Sequence, residues 1–243
     1  MKQGLFEIIS NERLTETVWK MRLRGDTSAI TASGQFVNIL LDGLFLRRPI
    51  SVCDCEGDVL TLVYKVVGKG TRRMSEMTSG TLDVLTGLGN GYSLAEAGEV
   101  PLLLGGGVGV PPLYMLAKKL LAQGCRVSVV LGFNTKDEVF YEEEFKALGA
   151  DVTVATADGS YGVKGFVTNA LPAEYSYFYT CGPEPMLKAV YAACKTEGQF
   201  SFEERMGCGF GACMGCSCKT VTGYKRICKE GPVLKKEEIL WER

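Results

Sequence analysis

Five of the chain's ten cysteines crowd the segment from Phe200 onward: Cys208, Cys213, Cys216, Cys218 and Cys228. A tail this short cannot build a sufficient hydrophobic core by itself, so a bound group must organise it. Cys208, Cys213 and Cys216 have the spacing C-x4-C-x2-C, with Cys228 further on, which is the plant-type [2Fe–2S] pattern. Four thiolates must converge on a small charged core, and three can come from one tight loop if glycines let the backbone wrap closely. Gly207, Gly209, Gly211 and Gly215 supply that freedom, and the loop's N–H groups can then point at the sulfurs. Zinc prefers two C-x2–4-C pairs, so three thiols on one glycine loop favour an iron–sulfur cluster over a zinc-stabilised interaction module. Cys218 could replace Cys216 or Cys228 in the register, although the pattern is complete without it.

The chain has no histidine. That removes Ser-His-Asp and Cys-His hydrolases and zinc sites of the Cys2His2 type, leaving chemistry to cysteine, carboxylate, lysine or a bound cofactor. The opening MKQGLFEIISNERL does not read as a secretion signal, so the cysteines point to metal ligation or redox work rather than disulfides, and a cytoplasmic location is expected. A net charge of −1 gives no reason to expect nucleic acid or an anionic membrane as partner. The longest apolar runs, Val100 to Leu104 and Val127 to Leu131, are strand-length and far short of the ~18 residues of a membrane helix. Cys53, Cys55, Cys125 and Cys194 read as buried small hydrophobes.

Three regions are expected: 1–98, 99–199 and 200–243. The first alternates β-like runs (Thr17 to Leu23, Gln35 to Leu40, Val59 to Val67) with turn residues, which suggests an antiparallel barrel. From Glu99 strands and helices alternate: strand Val100 to Leu104, helix Pro112 to Gln123, strand Arg126 to Gly132, helix Lys136 to Leu148, strand Asp151 to Ala155, a helix near Lys164 to Leu171, strand Tyr175 to Thr180 and helix Pro185 to Thr196. That rhythm means a Rossmann-like, doubly wound parallel sheet. The third region is the cysteine tail.

Two further stretches carry binding chemistry. In Arg47-Arg48-Pro49-Ile50-Ser51 a basic residue can pair with a pyrophosphate, and a hydroxyl three residues later could reach a ring nitrogen of a cofactor. Tyr64-Lys65 near a strand end and the turn Gly68-Lys69-Gly70-Thr71 follow, and such a turn can offer N–H groups to phosphate. In the second region a strand runs into Gly105, Gly106, Gly107, Val108 and Gly109 before a helix opened by Pro111-Pro112, the context in which a dinucleotide's phosphates approach the backbone. Cys181 and Gly182 end a strand and are placed near the reactive end of the nucleotide. The usual ribose carboxylate is missing ~20 residues past the glycines, where Leu131-Gly132-Phe133-Asn134 stands; Asp137 and Glu138 come slightly later, and acidic residues there favour NAD over NADP.

These signatures, in this order, resemble the ferredoxin–NADP reductase superfamily of flavoproteins, and with the cysteine tail the whole chain looks like the electron-transfer subunits of type B, NAD-linked dihydroorotate dehydrogenases. The most specific stretches are RRPIS, VYKVVGKGT, GGGVGVPPL, CGPEPML and EERMGCGFGACMGCSC. The resemblance implies that Arg48, Pro49, Ile50 and Ser51, then Val63, Tyr64 and Lys65, then Gly70 and Thr71, bind FAD. It implies that Cys208, Cys213, Cys216 and Cys228 hold a [2Fe–2S] cluster. It also implies a partner catalytic subunit that holds FMN and oxidises dihydroorotate in pyrimidine synthesis, two copies of each subunit in the assembly, and NAD+ as final acceptor. No residue of the chain is assigned as a catalytic acid or base. A reductase subunit of a hydrogenase, a sulfite reductase or a ferredoxin-linked complex is the alternative that shares these signatures.

Overall fold

The computed structural model describes residues 1–241. Six strands, β1 (Lys2–Arg13), β2 (Val18–Arg24), β3 (Phe36–Leu40), β4 (Arg48–Glu56), β5 (Val59–Lys65) and β6 (Thr81–Leu88), close an antiparallel barrel in the order β1-β2-β5-β4-β3-β6. The period-2 alternation of strands sends every second side chain inward: along β5, Leu60, Leu62 and Tyr64 are buried in the barrel core with Phe6, Met21, Val37, Ile39 and Val84. One short helix, α1 (Lys69–Ser75), lies between β5 and β6. From sequence this segment is expected as a glycine turn, because two glycines among the residues that open the helix hide its start.

The second region forms a sheet from β7 (Leu102–Gly106), β8 (Ser128–Phe133), β9 (Asp151–Thr156), β10 (Val163–Lys164), β11 (Phe178–Cys181) and β12 (Gly198–Ser201), with helices α2 (Pro112–Ala122), α3 (Glu142–Ala147) and α4 (Glu184–Ala193) between strands. The tail adds a hairpin, β13 (Ser217–Thr220) and β14 (Gly223–Arg226), and then β15 (Val233–Lys235). The sheet order is β10-β9-β8-β7-β11-β12-β15, parallel throughout except that β15 pairs antiparallel with β12. The strand order reverses direction between β7 and β11, which makes their carboxyl ends the topological switch point where ligands bind in such sheets. Strand β12 runs across position 199/200, and β15 extends the sheet from within the cysteine tail.

Two expected helices differ. Lys136 to Leu148 is not continuous: a 3-10 turn over Lys136–Glu138 is followed by α3 only at Glu142. Between them Tyr141 sits at φ 67, because Phe140 and Tyr141 turn inward to pack edge-on against Phe133, Tyr114 and Phe145. Burying aromatic area outweighs a few tenths of a kcal/mol of helix propensity. The expected helix near Lys164 to Leu171 is a two-residue strand and a 3-10 turn over Val167–Ala170, since Gly162 and Gly165 adopt φ values of 64 and 122 that end regular structure.

The regions share cores rather than touching at points. Val18, Cys53 and Val63 of the barrel pack with Leu103, Leu113 and Leu116 of the sheet region. Phe36, Leu85 and Leu88 of the barrel pack with Phe178 and Phe200 and with Cys216, Ile227 and Cys228 of the tail. Across the first interface Lys118 on α2 donates to Asp54 Oδ2 on β4 at 2.7 Å and also pairs with Glu56. Replacing Lys118 with methionine should lower the melting temperature by about 2–4 °C, the equivalent of about 1 kcal/mol. Hydrogen bonding to Lys118 lowers the pKa of Glu56. The pKa of Lys118 is raised, its bonds to Asp54 and Glu56 outweighing burial. The contribution from Glu56 is therefore present above its unfolded value of about 4.3 and lost as pH falls below it; that from Lys118 is present below about 10.4 and lost as pH rises through its folded value. Thermal melts across pH should show the wild-type advantage over Lys118→Met between those limits and its decline outside them.

Candidate functional site

The cysteine loop is built around its own sulfurs. Cys208 Sγ accepts N–H bonds from Ala212 (3.2 Å) and Cys213 (3.4 Å), Cys213 Sγ accepts from Cys208 (3.5 Å), and Cys216 Sγ accepts from Cys228 (3.4 Å). Gly209 at φ 77 and Gly211 at φ 93 make the wrapping possible. Burial pushes the Cys208 thiol up, but the N–H groups of Phe210, Cys213 and Ala212 outweigh it and bring its pKa to about 6; burial and the neighbouring Cys216 push Cys228 up to about 12. Arg226, ion-paired with Glu230, donates to Gly211 O at 2.6 Å and ties the loop to the end of β14.

Among the described residues no three His, Cys, Asp or Glu side chains surround one point as a single metal ion would require. Backbone N–H bonds to sulfur instead link the cysteines two by two, Cys208 with Cys213 and Cys216 with Cys228. Two pairs suit a two-iron core, in which each iron takes two thiolates, better than a four-thiolate mononuclear cage. Backbone N–H groups already aimed at sulfur are the donors that such a cluster needs. Cys218 lies on β13 opposite Lys225, outside both pairs.

The stretch Arg48 to Ser51 opens β4. Arg48 and the arginine before it, Arg47, have separate tasks. Arg47 is ion-paired with Asp83 at 2.8 Å and donates to Asn38 O, closing the barrel. Arg48 instead lies across Gly70, where any Cβ would overlap its Nε, so the guanidinium meets the β5–α1 turn. Thr71 Oγ1 accepts the N–H groups of Val67 (2.9 Å) and Gly68 (3.2 Å) and so shapes that turn rather than leaving both donors to a ligand. Pro49, Ile50 and Ser51 lie opposite Asn38, Val37 and Phe36 of β3, and Ser51 is half-buried. Val63 faces the sheet region and Lys65 ends β5 half-buried. Tyr64 points inward: its ring fills the barrel core, its hydroxyl donates to Asn11 Oδ1 at 3.1 Å, and burial pushes its pKa to about 12.

At the switch point Gly105 pairs in register with Cys181. A Cβ on Gly109 would overlap the Cys181 carbonyl and the Gly182 nitrogen, and Gly106 and Gly182 both lie against Met186 Sδ. The glycines thus permit two strand ends to approach, and the turn Gly107–Gly109 lies beside β5 of the barrel. Burial pushes the Cys181 thiol up to about 12, so it stays neutral at physiological pH. At the outer end, Glu138 folds back on Asn134, accepting its N–H (3.1 Å) and Nδ2 (2.8 Å). The three-residue 3-10 turn returns a carboxylate to the end of β8, where spacing alone left none.

Comparison with known proteins agrees with this geometry. Residues 203–240 match the family described as the iron–sulfur cluster binding domain of dihydroorotate dehydrogenase B, and residues 103–192 match the oxidoreductase NAD-binding domain. The chain is 43% identical to the dihydroorotate dehydrogenase B (NAD(+)) electron transfer subunit of Bacillus pumilus, covering 98% of each chain. The chain belongs to this family. The corresponding subunit of Fusobacterium nucleatum is 42% identical over 94% of this chain and 95% of that one. A solved NADH-dependent reduced ferredoxin-NADP oxidoreductase shares 31% identity at a TM-score of 0.89, covering 98% of this chain and 90% of its own. A ferredoxin NADP+ reductase from Neisseria gonorrhoeae, at 18% identity and a TM-score of 0.69, covers 79% of this chain and 90% of its own and shares the fold. Among the described residues no helix of this member is long and apolar enough to cross a membrane.

Proposed function

We propose that this subunit carries electrons between a dihydroorotate-oxidising partner subunit and NAD+, with a [2Fe–2S] cluster held by Cys208, Cys213, Cys216 and Cys228 and FAD held by the barrel. The partner holds FMN, the assembly contains two copies of each subunit, and the complex works in the cytoplasm. The division of labour follows the three regions: 1–98 for the flavin, 99–199 for the nucleotide, 200–243 for the cluster. When bound, a flavin exchanges hydride with nicotinamide and single electrons with an iron–sulfur centre, the conversion that neither of those performs alone.

The chain's own residues supply position and charge. Arg48 neutralises the pyrophosphate beside the Gly70–Thr71 turn, and Pro49, Ile50 and Ser51, with Val63 and the backbone of Tyr64 and Lys65, line the ring side of the flavin. Gly105, Gly106, Gly107 and Gly109 let the nucleotide phosphates approach, while Cys181 and Gly182 face its reactive end. Cys181, kept neutral by burial, adds no charge beside a ring that gains or loses hydride. The observation that supports this reading most is convergence on one side of the barrel. β4 carries the Arg48–Ser51 stretch between its neighbours β5 and β3, β5 meets the Gly107–Gly109 turn, and the cysteine loop is hydrogen-bonded to β3 through Asn38 and Cys208 O at 3.2 Å.

Arg48→Ala should weaken FAD binding at least about ten-fold, since a charge-assisted contact to phosphate is lost; flavin released on dilution, measured by fluorescence, checks this. The likeness to a ferredoxin-linked oxidoreductase favours one competing reading, exchange with ferredoxin instead of a dihydroorotate dehydrogenase. Co-expression with an FMN-containing catalytic subunit decides between them: NAD+-dependent orotate formation by the co-purified complex supports the first reading, and ferredoxin reduction without orotate formation supports the second.

A further inference from the structure

Asn38 is the polar residue of the apolar strand β3, and it is 1% exposed. Its Nδ2 donates to Cys208 O at 3.2 Å, across 170 positions of sequence. The amide orientation is forced, because two oxygens facing each other could not bond. Its own carbonyl is held by Arg47 Nη1 at 3.2 Å, and Pro49 stands opposite it in the β3–β4 pair. Gly209, the next residue of the cysteine loop, has φ 77, and a Cβ there would overlap Asn38 Nδ2. One residue is therefore held at both ends: its main chain is fixed by Arg47 and the β3–β4 pairing, and its side chain reaches the backbone of a cluster cysteine. Asn38 Oδ1 is buried and finds no donor among the described residues, a costly state unless a bound group supplies one.

We propose that Asn38 is a positioning residue for electron exchange between cluster and flavin: its amide pins the cysteine loop, at the Cys208 carbonyl, to the strand pair that carries the flavin stretch. This rests on the flavin and cluster reading above. Removing the pin leaves both groups bound but lets the loop drift from the barrel, so the step between them slows while hydride exchange with nicotinamide does not.

The test uses the holoprotein and three substitutions. Asn38→Leu keeps the volume and removes the bond; Asn38→His restores a donor, because imidazole Nδ1 lies close to where Nδ2 was; Asn38→Ser, too short to reach the carbonyl, replaces the leucine variant should that fail to fold. NADH is mixed anaerobically, and flavin bleaching and the cluster's EPR signal are followed separately. Hydrogen exchange is measured on the peptide 207–214. The bond-deficient variant should bleach within about two-fold of wild type, develop the cluster signal roughly ten-fold more slowly and exchange faster in the loop, with Asn38→His returning both readouts toward wild type. A cluster step at wild-type speed in the bond-deficient variant, or a histidine variant as slow as it, overturns the role of Asn38. A wild-type protein whose cluster signal never follows flavin bleaching overturns the functional reading as a whole, and is told apart by that control.

Discussion

Cys213→Ser should abolish NAD+-dependent orotate formation by the assembled complex, lowering it at least about a hundred-fold, while NADH oxidation with ferricyanide as acceptor stays within about two-fold. Cys213 is exposed, so the substitution leaves the core intact and isolates the missing ligand. Its partner thiol Cys208 would keep the N–H bonds of Ala212, but one thiolate of the four is gone and the cluster cannot close. Cys216→Ser should do the same and also destabilise the fold by about 1–3 kcal/mol, because a hydroxyl replaces a thiol in an apolar site. Cys218→Ser should change neither activity, since that side chain stands outside both cysteine pairs. Iron analysis and activity on the three variants decide the ligand register: loss of iron in Cys218→Ser with retention in Cys216→Ser would reverse the assignment.

Gly109→Ala carries the second large effect. Gly109 has no unusual φ, so alanine suits its backbone; the obstacle is the Cys181 carbonyl and the Gly182 nitrogen, which are main-chain atoms and cannot rotate aside. Relief requires the ends of β7 and β11 to part, at a cost of about 2 kcal/mol or more and a melting-temperature drop of about 4–8 °C. With the nucleotide crevice at the two strand ends, as proposed, KM for NADH should rise at least about ten-fold, with iron and flavin content unchanged. Gly107 is the contrast: it has open space around it but φ 51, so Gly107→Ala carries only a conformational cost of about 1 kcal/mol. Equal effects of the two substitutions on KM would contradict the steric account.

Much of this architecture was legible from residues. Glycines after β7 and cysteines at fixed spacing mark places where backbone must come close to something else, and those demands survive translation into sequence. The alternation of Leu60, Leu62 and Tyr64 announces a barrel strand, and with it the inward direction of the Tyr64 ring. What stayed hidden depends on contacts distant in sequence. Tyr141 leaves the helical region because its ring finds Tyr114 and Phe145. β15 joins the sheet only because β12 offers an open edge, and Glu138 reaches the end of β8 only because a 3-10 turn reverses the chain. Asn38 did leave a signal, a lone amide inside Phe-Val-Asn-Ile-Leu, but its partner Cys208 lies in another region and no local pattern pairs them.

The most direct test is an anaerobic titration of the purified subunit with NADH, followed by visible absorbance and low-temperature EPR on the same samples. The account predicts a yellow-brown protein with flavin, and with iron and sulfide in equal amounts; NADH bleaches the flavin band and then raises the signal of a reduced [2Fe–2S] cluster. A colourless protein containing zinc, or flavin that NADH bleaches while the cluster stays oxidised, would contradict it.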